Sequence, residues 1–155
     1  MKITKIEFNR QANFIVTLLL IHFIFFGYIC NRYRKSIGED ILYLHKILFN
    51  PYSIVSLVIL FIIVFIMAFR EDFFEYGIRN SIWLTPFILA QSWFWYIFVN
   101  YKLDILIQIG RFFINYEGYI TIFSVLGINL LAAILAVYSK QKYIEHFRKI
   151  EEIEG

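Results

Sequence analysis

The sequence has little of what most enzymes and secreted domains rely on. It contains one cysteine, Cys30, so no disulfide can form within the chain. Its three histidines, His22, His45 and His146, are isolated, and neither an H-E-x-x-H nor a C-x-x-C motif is present. No glycine belongs to a phosphate-binding loop motif. The sequence therefore predicts a protein that is not an enzyme and that binds no cofactor and no metal ion.

Charge is absent from four long segments, residues 13–30, 53–69, 82–99 and 119–138, which contain no Asp, Glu, Lys or Arg. Each is close to the roughly 20 residues that a helix needs to cross about 30 Å of hydrocarbon. Because backbone polar groups in lipid must be satisfied within each segment, all four are predicted to be helices. The sequence thus predicts an all-α fold, a four-helix transmembrane bundle in one integral membrane domain over residues 1–155.

Acidic residues are missing at membrane depth, which disfavours a transporter or pump because a proton or cation relay normally needs a carboxylate there. The polar side chains inside the segments are uncharged: His22 in the first, Gln91 in the third and Asn129 in the last. They either line one polar seam through the bundle or form separate hydrogen bonds between helices. The second interpretation is favoured.

Basic residues are distributed unevenly between the two sides of a four-span chain. Nine of the 15 lie in the head, the second connection and the tail, and the other six lie in the first and third connections. Cytoplasmic loops carry the excess of Lys and Arg, so both termini are predicted to be cytoplasmic. Trp83 and Trp95, near opposite ends of the third segment, fit the aromatic belts at the two membrane surfaces.

The connections are too apolar for free loops. Ser36 and Glu39 have the spacing of a capping box, which marks a helix start, and residues 37–49 predict a short amphipathic helix on the outer surface or capping the bundle. Residues 103–114 predict a second interfacial helix or an extension of the third span. The short connection at residues 70–81 predicts that the second and third spans are neighbours, and the uniformly apolar segment 53–69 is predicted to be the most lipid-exposed.

The last segment is rich in small residues, and Ala132 and Ala136 have the spacing that lets two helix backbones approach closely. We expect this helix to provide the main packing and oligomer surface, through Ser124, Gly127, Asn129, Ala132 and Ala136.

The tail, residues 139–155, predicts a cytoplasmic helix with one apolar stripe. Apolar residues recur every three positions, and no segment of this chain is an evident partner for them. An exposed apolar face of this kind usually marks a contact with another protein. The predicted partner-binding residues are Ile144, Phe147, Arg148, Ile150 and Ile153.

The basic head, four spans, amphipathic first connection and charged helical tail at residues 140–155 resemble the KwaA family, the membrane subunits of the Kiwa anti-phage defence system. The resemblance lies in the order of segments over the whole chain. It implies a homo-oligomer, such as a tetramer, in the bacterial inner membrane, paired with a soluble DNA-binding partner of the KwaB kind. This chain would then sense attack and recruit the partner without contacting nucleic acid itself.

Two other groups are similar in architecture. Immunity proteins against pore-forming colicins also have several spans and cytoplasmic termini, and phage-exclusion ion channels of the RexB kind have four spans and a short charged tail. An amphipathic helix outside the membrane is superfluous for recognising a toxin within the bilayer. The tail therefore favours a sensor or anchor subunit.

Overall fold

The computed structural model describes residues 2–28, 43–49, 54–100 and 105–154, and this part of the chain is helical and without strands. The all-α prediction is confirmed. The helices are α1 (Lys2–Leu20), which continues into a π-helical segment (Ile21–Tyr28), α2 (Tyr43–Phe49), α3 (Ile54–Arg70), α4 (Phe74–Asn100), α5 (Ile105–Ile114) and α6 (Tyr116–Glu154). Cys30, the capping box of Ser36 and Glu39, and the side chain of Ile153 lie outside the described residues.

Helix α6 organises the bundle, because it packs most extensively against α3 and next against α4. It has 39 residues, which at 1.5 Å per residue gives a length of about 58 Å. Helices α3 and α4 are joined by only three residues, 71–73, and pack against each other as the sequence predicts. The main core is one continuous cluster of apolar side chains that includes Phe25, Phe26, Leu60, Val64, Leu84 and Ile88.

Helix α2 is built into the core and does not lie on its surface. Leu44, Ile47 and Leu48 are at most 3% exposed, and α2 contacts α3, α4 and α6. The His45 Nδ1 and Thr121 Oγ1 atoms lie 3.1 Å apart and tie α2 to the start of α6. Of the two predicted positions for residues 37–49, the described part therefore favours the cap on the bundle.

The structure does not single out α3 as the most exposed helix, contrary to our prediction. Leu60, Val64, Met67 and Ala68 are buried, whereas Val58, Ile62 and Ile66 on the opposite side are exposed. Because the same residue types occur on both sides of α3, its composition gave no sign of which side packs inward.

The outer surface of the bundle is apolar between its ends. Large exposed apolar side chains occur on most of the long helices, among them Leu19, Phe23, Ile62, Phe94, Phe123 and Leu131. Contiguous apolar surface of this kind is rare in soluble monomers. Phe8–Tyr28 and Tyr116–Ile150 are long and apolar enough to cross a membrane, and Ile54–Arg70 is a shorter apolar helix. By length and composition, these helices are compatible with a membrane protein.

Candidate functional site

A buried carboxylate joins four parts of the fold at one end of the bundle. Glu71 follows the last residue of α3 and is only 6% exposed. Its Oε1 accepts hydrogen bonds from Asn13 Nδ2 at 2.7 Å and from Asn80 Nδ2 at 3.2 Å. Lys140 Nζ donates to its main-chain oxygen. We call Asn13, Glu71, Asn80 and Lys140 the polar hub; it links α1, the turn after α3, α4 and α6.

The hydrogen bonds of the hub explain how the Glu71 carboxylate is tolerated in a buried position. A buried carboxylate is costly unless hydrogen bonds satisfy it, and bonds to an ionised acceptor contribute roughly 1.5–3 kcal/mol each. Asn13 Nδ2 also donates to Met67 O at 3.1 Å, so a single amide fixes the end of α3 against α1. We expect the hub to hold the four elements in one fixed arrangement.

A cavity of about 320 Å³ opens beside the hub, between α1 and the turn after α3. Its polar lining includes Arg10, Arg70, Glu71, Asp72 and Tyr76. The guanidinium of Arg10 lies 4.8 Å from the centroid of the Tyr76 ring. A guanidinium at this distance from an aromatic ring is attracted by the electrons of the ring face. The cavity thus carries groups of both charge signs, and one of its cations is held in position.

His22 and Gln91 both connect the first helix to α4. His22 Nδ1 accepts a hydrogen bond from Trp95 Nε1 at 3.2 Å, since an indole nitrogen can only donate. Gln91 Nε2 donates to Leu18 O at 3.2 Å. The His22 ring lies in the π-helical segment and also packs 5.8 Å from the Phe94 ring, measured between centroids.

Asn129 connects α6 to α4 and is fully buried. Its Nδ2 donates to Ser81 O at 3.3 Å and to Thr85 Oγ1 at 3.2 Å. Within the described residues, none of His22, Gln91 and Asn129 hydrogen-bonds to another of the three. Each joins a pair of helices, an arrangement that favours separate interhelical bonds over a continuous polar seam.

The small residues of α6 divide into two groups. Ala132 and Ala136 are fully buried, and Ala136 belongs to a cluster with Ala68, so within one copy this face packs against α3. Ser124 is only partly buried, and a Cβ placed on Gly127 would meet no other atom within 4 Å. The alanine pair is therefore used for packing within the chain, whereas the space beside Gly127 is open.

The extension of α6 beyond the hub is exposed on every side over residues 141–150. Tyr143, Ile144, Phe147 and Ile150 are 38–56% exposed, and we call these four residues the docking stripe. The Tyr143 and Phe147 ring centroids are 4.6 Å apart. Of the other predicted partner-binding residues, Arg148 is exposed, and the Ile153 side chain lies outside the described part.

The docking stripe continues the face of α6 that packs on α3. Tyr143 lies seven residues after Ala136, which places the two on the same side of the helix. The Phe69 and Tyr143 ring centroids are 6.4 Å apart, at the point where α3 ends. This face of α6 is covered by α3 within the bundle. Beyond Arg70, where α3 ends, α3 no longer covers it. Sequence reasoning missed Tyr143, although its spacing from Ala136 is the signal that finds it.

No protein-family model, no curated protein and no solved structure matches this chain. Three structural features therefore bear on function. They are the apolar outer surface, the polar hub with its cavity, and the extension of α6 that carries the docking stripe.

Proposed function

We propose that this chain is a non-enzymatic anchor subunit of the bacterial inner membrane that recruits a soluble cytoplasmic protein through the docking stripe. The observation that carries the proposal is the length of α6. A helix of 39 residues is about 58 Å long, whereas the hydrocarbon core is about 30 Å thick. Roughly half of α6 must then lie outside the membrane, and the apolar stripe belongs to that half.

The contacts at the two ends of the bundle support four spans. The polar hub brings Asn13, Glu71 and Lys140 together at one end. At the other end, His45 lies close to Thr121. In the chain, residue 45 lies between residues 13 and 71, and residue 121 lies between residues 71 and 140. A chain that crosses the membrane four times brings residues 13, 71 and 140 to the same side. In the proposal this side is the cytoplasm, because it carries the larger number of basic residues.

The docking stripe suits recruitment because the helix that carries it is anchored to the bundle at its base. The start of the extension is held by Lys140, which donates to the main-chain oxygen of Glu71, and by the contact of Tyr143 with Phe69. A partner that packs on a preorganised helix loses less conformational entropy than one that must order a flexible tail. An amphipathic helix laid along an apolar groove is a common mode of protein recognition.

An anti-phage role of the Kiwa type is our proposal for the biological setting. It is supported by the order of segments, from the basic head to the charged helical tail. The chain would then form a homo-oligomer and recruit a soluble DNA-binding effector when it senses attack. A soluble protein encoded beside this chain would support that setting, whereas a pore-forming toxin encoded there would support a role in immunity instead.

Substitution of one stripe residue tests recruitment without truncating the chain. We expect Phe147→Glu to release the proposed soluble partner from the membrane fraction, because a charge enters the apolar contact. Lys149→Glu introduces the same side chain at an exposed position on the opposite side of the extension and serves as the matched control. Both variants should insert normally, and only the first should lose protection of cells against phage.

Three results would contradict the proposal. The first is full recruitment and full protection by Phe147→Glu. The second is protection from a single toxin by this chain alone, with no second gene, which is the behaviour of an immunity protein. Loss of membrane potential on overproduction would point to an ion channel.

A further inference from the structure

The cavity beside the polar hub contains charged groups that the rest of the described chain leaves unused. Glu71 bonds Asn13 and Asn80 through Oε1, whereas its Oε2 accepts no hydrogen bond from any described residue. Arg10 and Arg70 border the same cavity. Neither guanidinium forms a hydrogen bond or an ion pair within the described residues. Both an anionic acceptor and cationic donors are therefore free to bind a ligand there.

The two charge signs define what such a ligand must carry. A guanidinium presents several N–H donors in a planar fork that matches a phosphate. Arg10 is also held against the Tyr76 ring, so part of the ordering cost is met before a ligand arrives. The free oxygen of Glu71, with Asp72 beside it in the cavity lining, suits a group that donates hydrogen bonds and carries a positive charge.

A second cavity shares Arg10 with the first and is largely apolar. It is a groove of about 270 Å³ between α1 and α4, lined by Phe14, Asn80, Trp83 and Phe87. The Phe14 and Phe87 ring centroids are 5.6 Å apart at its wall. A charged cavity that adjoins an apolar groove suits an amphiphile, with its polar head in one and a hydrocarbon chain along the other.

We propose that the two cavities bind a phospholipid whose headgroup carries both a phosphate and a primary ammonium, as in phosphatidylethanolamine. The phosphate is held by Arg10 and Arg70, the ammonium donates to Glu71 Oε2, and an acyl chain lies along Phe14 and Phe87. A choline headgroup has no N–H to donate, and a glycerol headgroup has no cation. The inference rests on the membrane placement in the proposed function, and it is independent of the docking stripe.

The test uses the full chain purified in detergent. Binding is measured by native mass spectrometry and by the rise in unfolding temperature with added phosphatidylethanolamine, phosphatidylcholine or phosphatidylglycerol. We expect phosphatidylethanolamine to bind tightest. Arg10→Gln should weaken it roughly tenfold, the loss typical of one charge-assisted hydrogen bond. Arg79→Gln is the matched control, because Arg79 also lies 4.8 Å from the Tyr76 ring centroid but does not line the cavity.

A second variant tests recognition of the ammonium group. Glu71→Gln keeps an oxygen for Asn13 and Asn80 but removes the negative charge. We expect it to lose the preference for phosphatidylethanolamine over phosphatidylcholine. If this variant fails to fold, two measurements still test the inference. They are the preference of the wild type for phosphatidylethanolamine and the comparison of lipid binding by Arg10→Gln and Arg79→Gln.

Several results would overturn the inference. These are equal binding of phosphatidylcholine and phosphatidylethanolamine by the wild type, unchanged binding by Arg10→Gln, and an equal loss in Arg79→Gln. Stabilisation by soluble glycerophosphoethanolamine as strong as that by the lipid would assign the site to a free phosphoester instead. Recovery of the chain outside the membrane fraction would overturn both this inference and the proposed function. The absence of a lipid preference in a membrane-inserted chain would overturn this inference alone.

Discussion

Gly118 is the residue at which the structure leaves least room for a side chain. It follows the turn between α5 and α6, where Gly118 N donates to Asn115 O at 3.1 Å. A Cβ on Gly118 would lie 2.1 Å from Phe112 O, a main-chain atom that cannot move aside without shifting α5. The close approach of α5 to the first turn of α6 therefore requires glycine here.

We expect Gly118→Ala to lower the free energy of unfolding by about 1–3 kcal/mol, the usual cost of overpacking. Gly110→Ala is the matched control, because a Cβ there would meet no atom within 4 Å. Alanine is a better helix former than glycine, so the control should be neutral or stabilising by up to about 1 kcal/mol. Thermal unfolding in detergent compares the two variants, and equal stability would contradict the close approach.

At the same scale, the sequence showed which residues are polar but not which of them meet. His22, Gln91 and Asn129 stood out because they interrupt apolar segments. Nothing in the sequence distinguishes Glu71 from other charged residues of the connections, because its partner Asn13 is 58 residues away. Local patterns carry no information about a contact of that sequence separation, so the hub became visible only in the folded chain.

At the scale of the element, the sequence predicted most of the helices because a segment without charge is recognisable locally. It did not predict their full lengths. Helix α4 begins at Phe74, eight residues before the predicted span. The predicted last span and the predicted tail helix, by contrast, are joined in one helix, α6, from Tyr116 to Glu154. Hydropathy marks the part of a helix that is apolar and is blind to the polar turns that extend it. Packing against neighbouring helices determines where those turns end.

The contact between α3 and α6 allows a test at this scale. Ala136 is fully buried beside Ala68, with Phe65 and Phe69 packed around the cluster. We expect Ala136→Leu to destabilise the bundle by about 1–3 kcal/mol, because the larger side chain forces the two helices apart. Ala90→Leu makes the same change at an exposed position of α4 and should alter stability by less than about 0.5 kcal/mol. Reversible unfolding in mixed micelles provides both values, and equal losses would contradict tight α3–α6 packing.

For the whole molecule, the number of membrane crossings is the decisive property. With a cytoplasmic amino terminus, as proposed, the turn after α3 lies outside the cytoplasm if only Phe8–Tyr28 and Tyr116–Ile150 cross the membrane, and inside it if the chain crosses four times. The contact of Glu71 with both Asn13 and Lys140 favours four, because all three must lie at the same end of the bundle.

Reporter fusions decide between the two topologies. With four crossings, a fluorescent protein joined after Asp72 or after residue 155 is fluorescent, because both positions are cytoplasmic. Alkaline phosphatase, which is active only outside the cytoplasm, is then active after residue 35 and inactive after Asp72. The fusions after residues 35 and 155 behave alike in both topologies and serve as controls, so the fusion at Asp72 alone carries the decision. An active phosphatase at that position would remove the support that the hub gives to four spans, because Glu71 could then not meet Asn13 and Lys140 on one side of the bilayer.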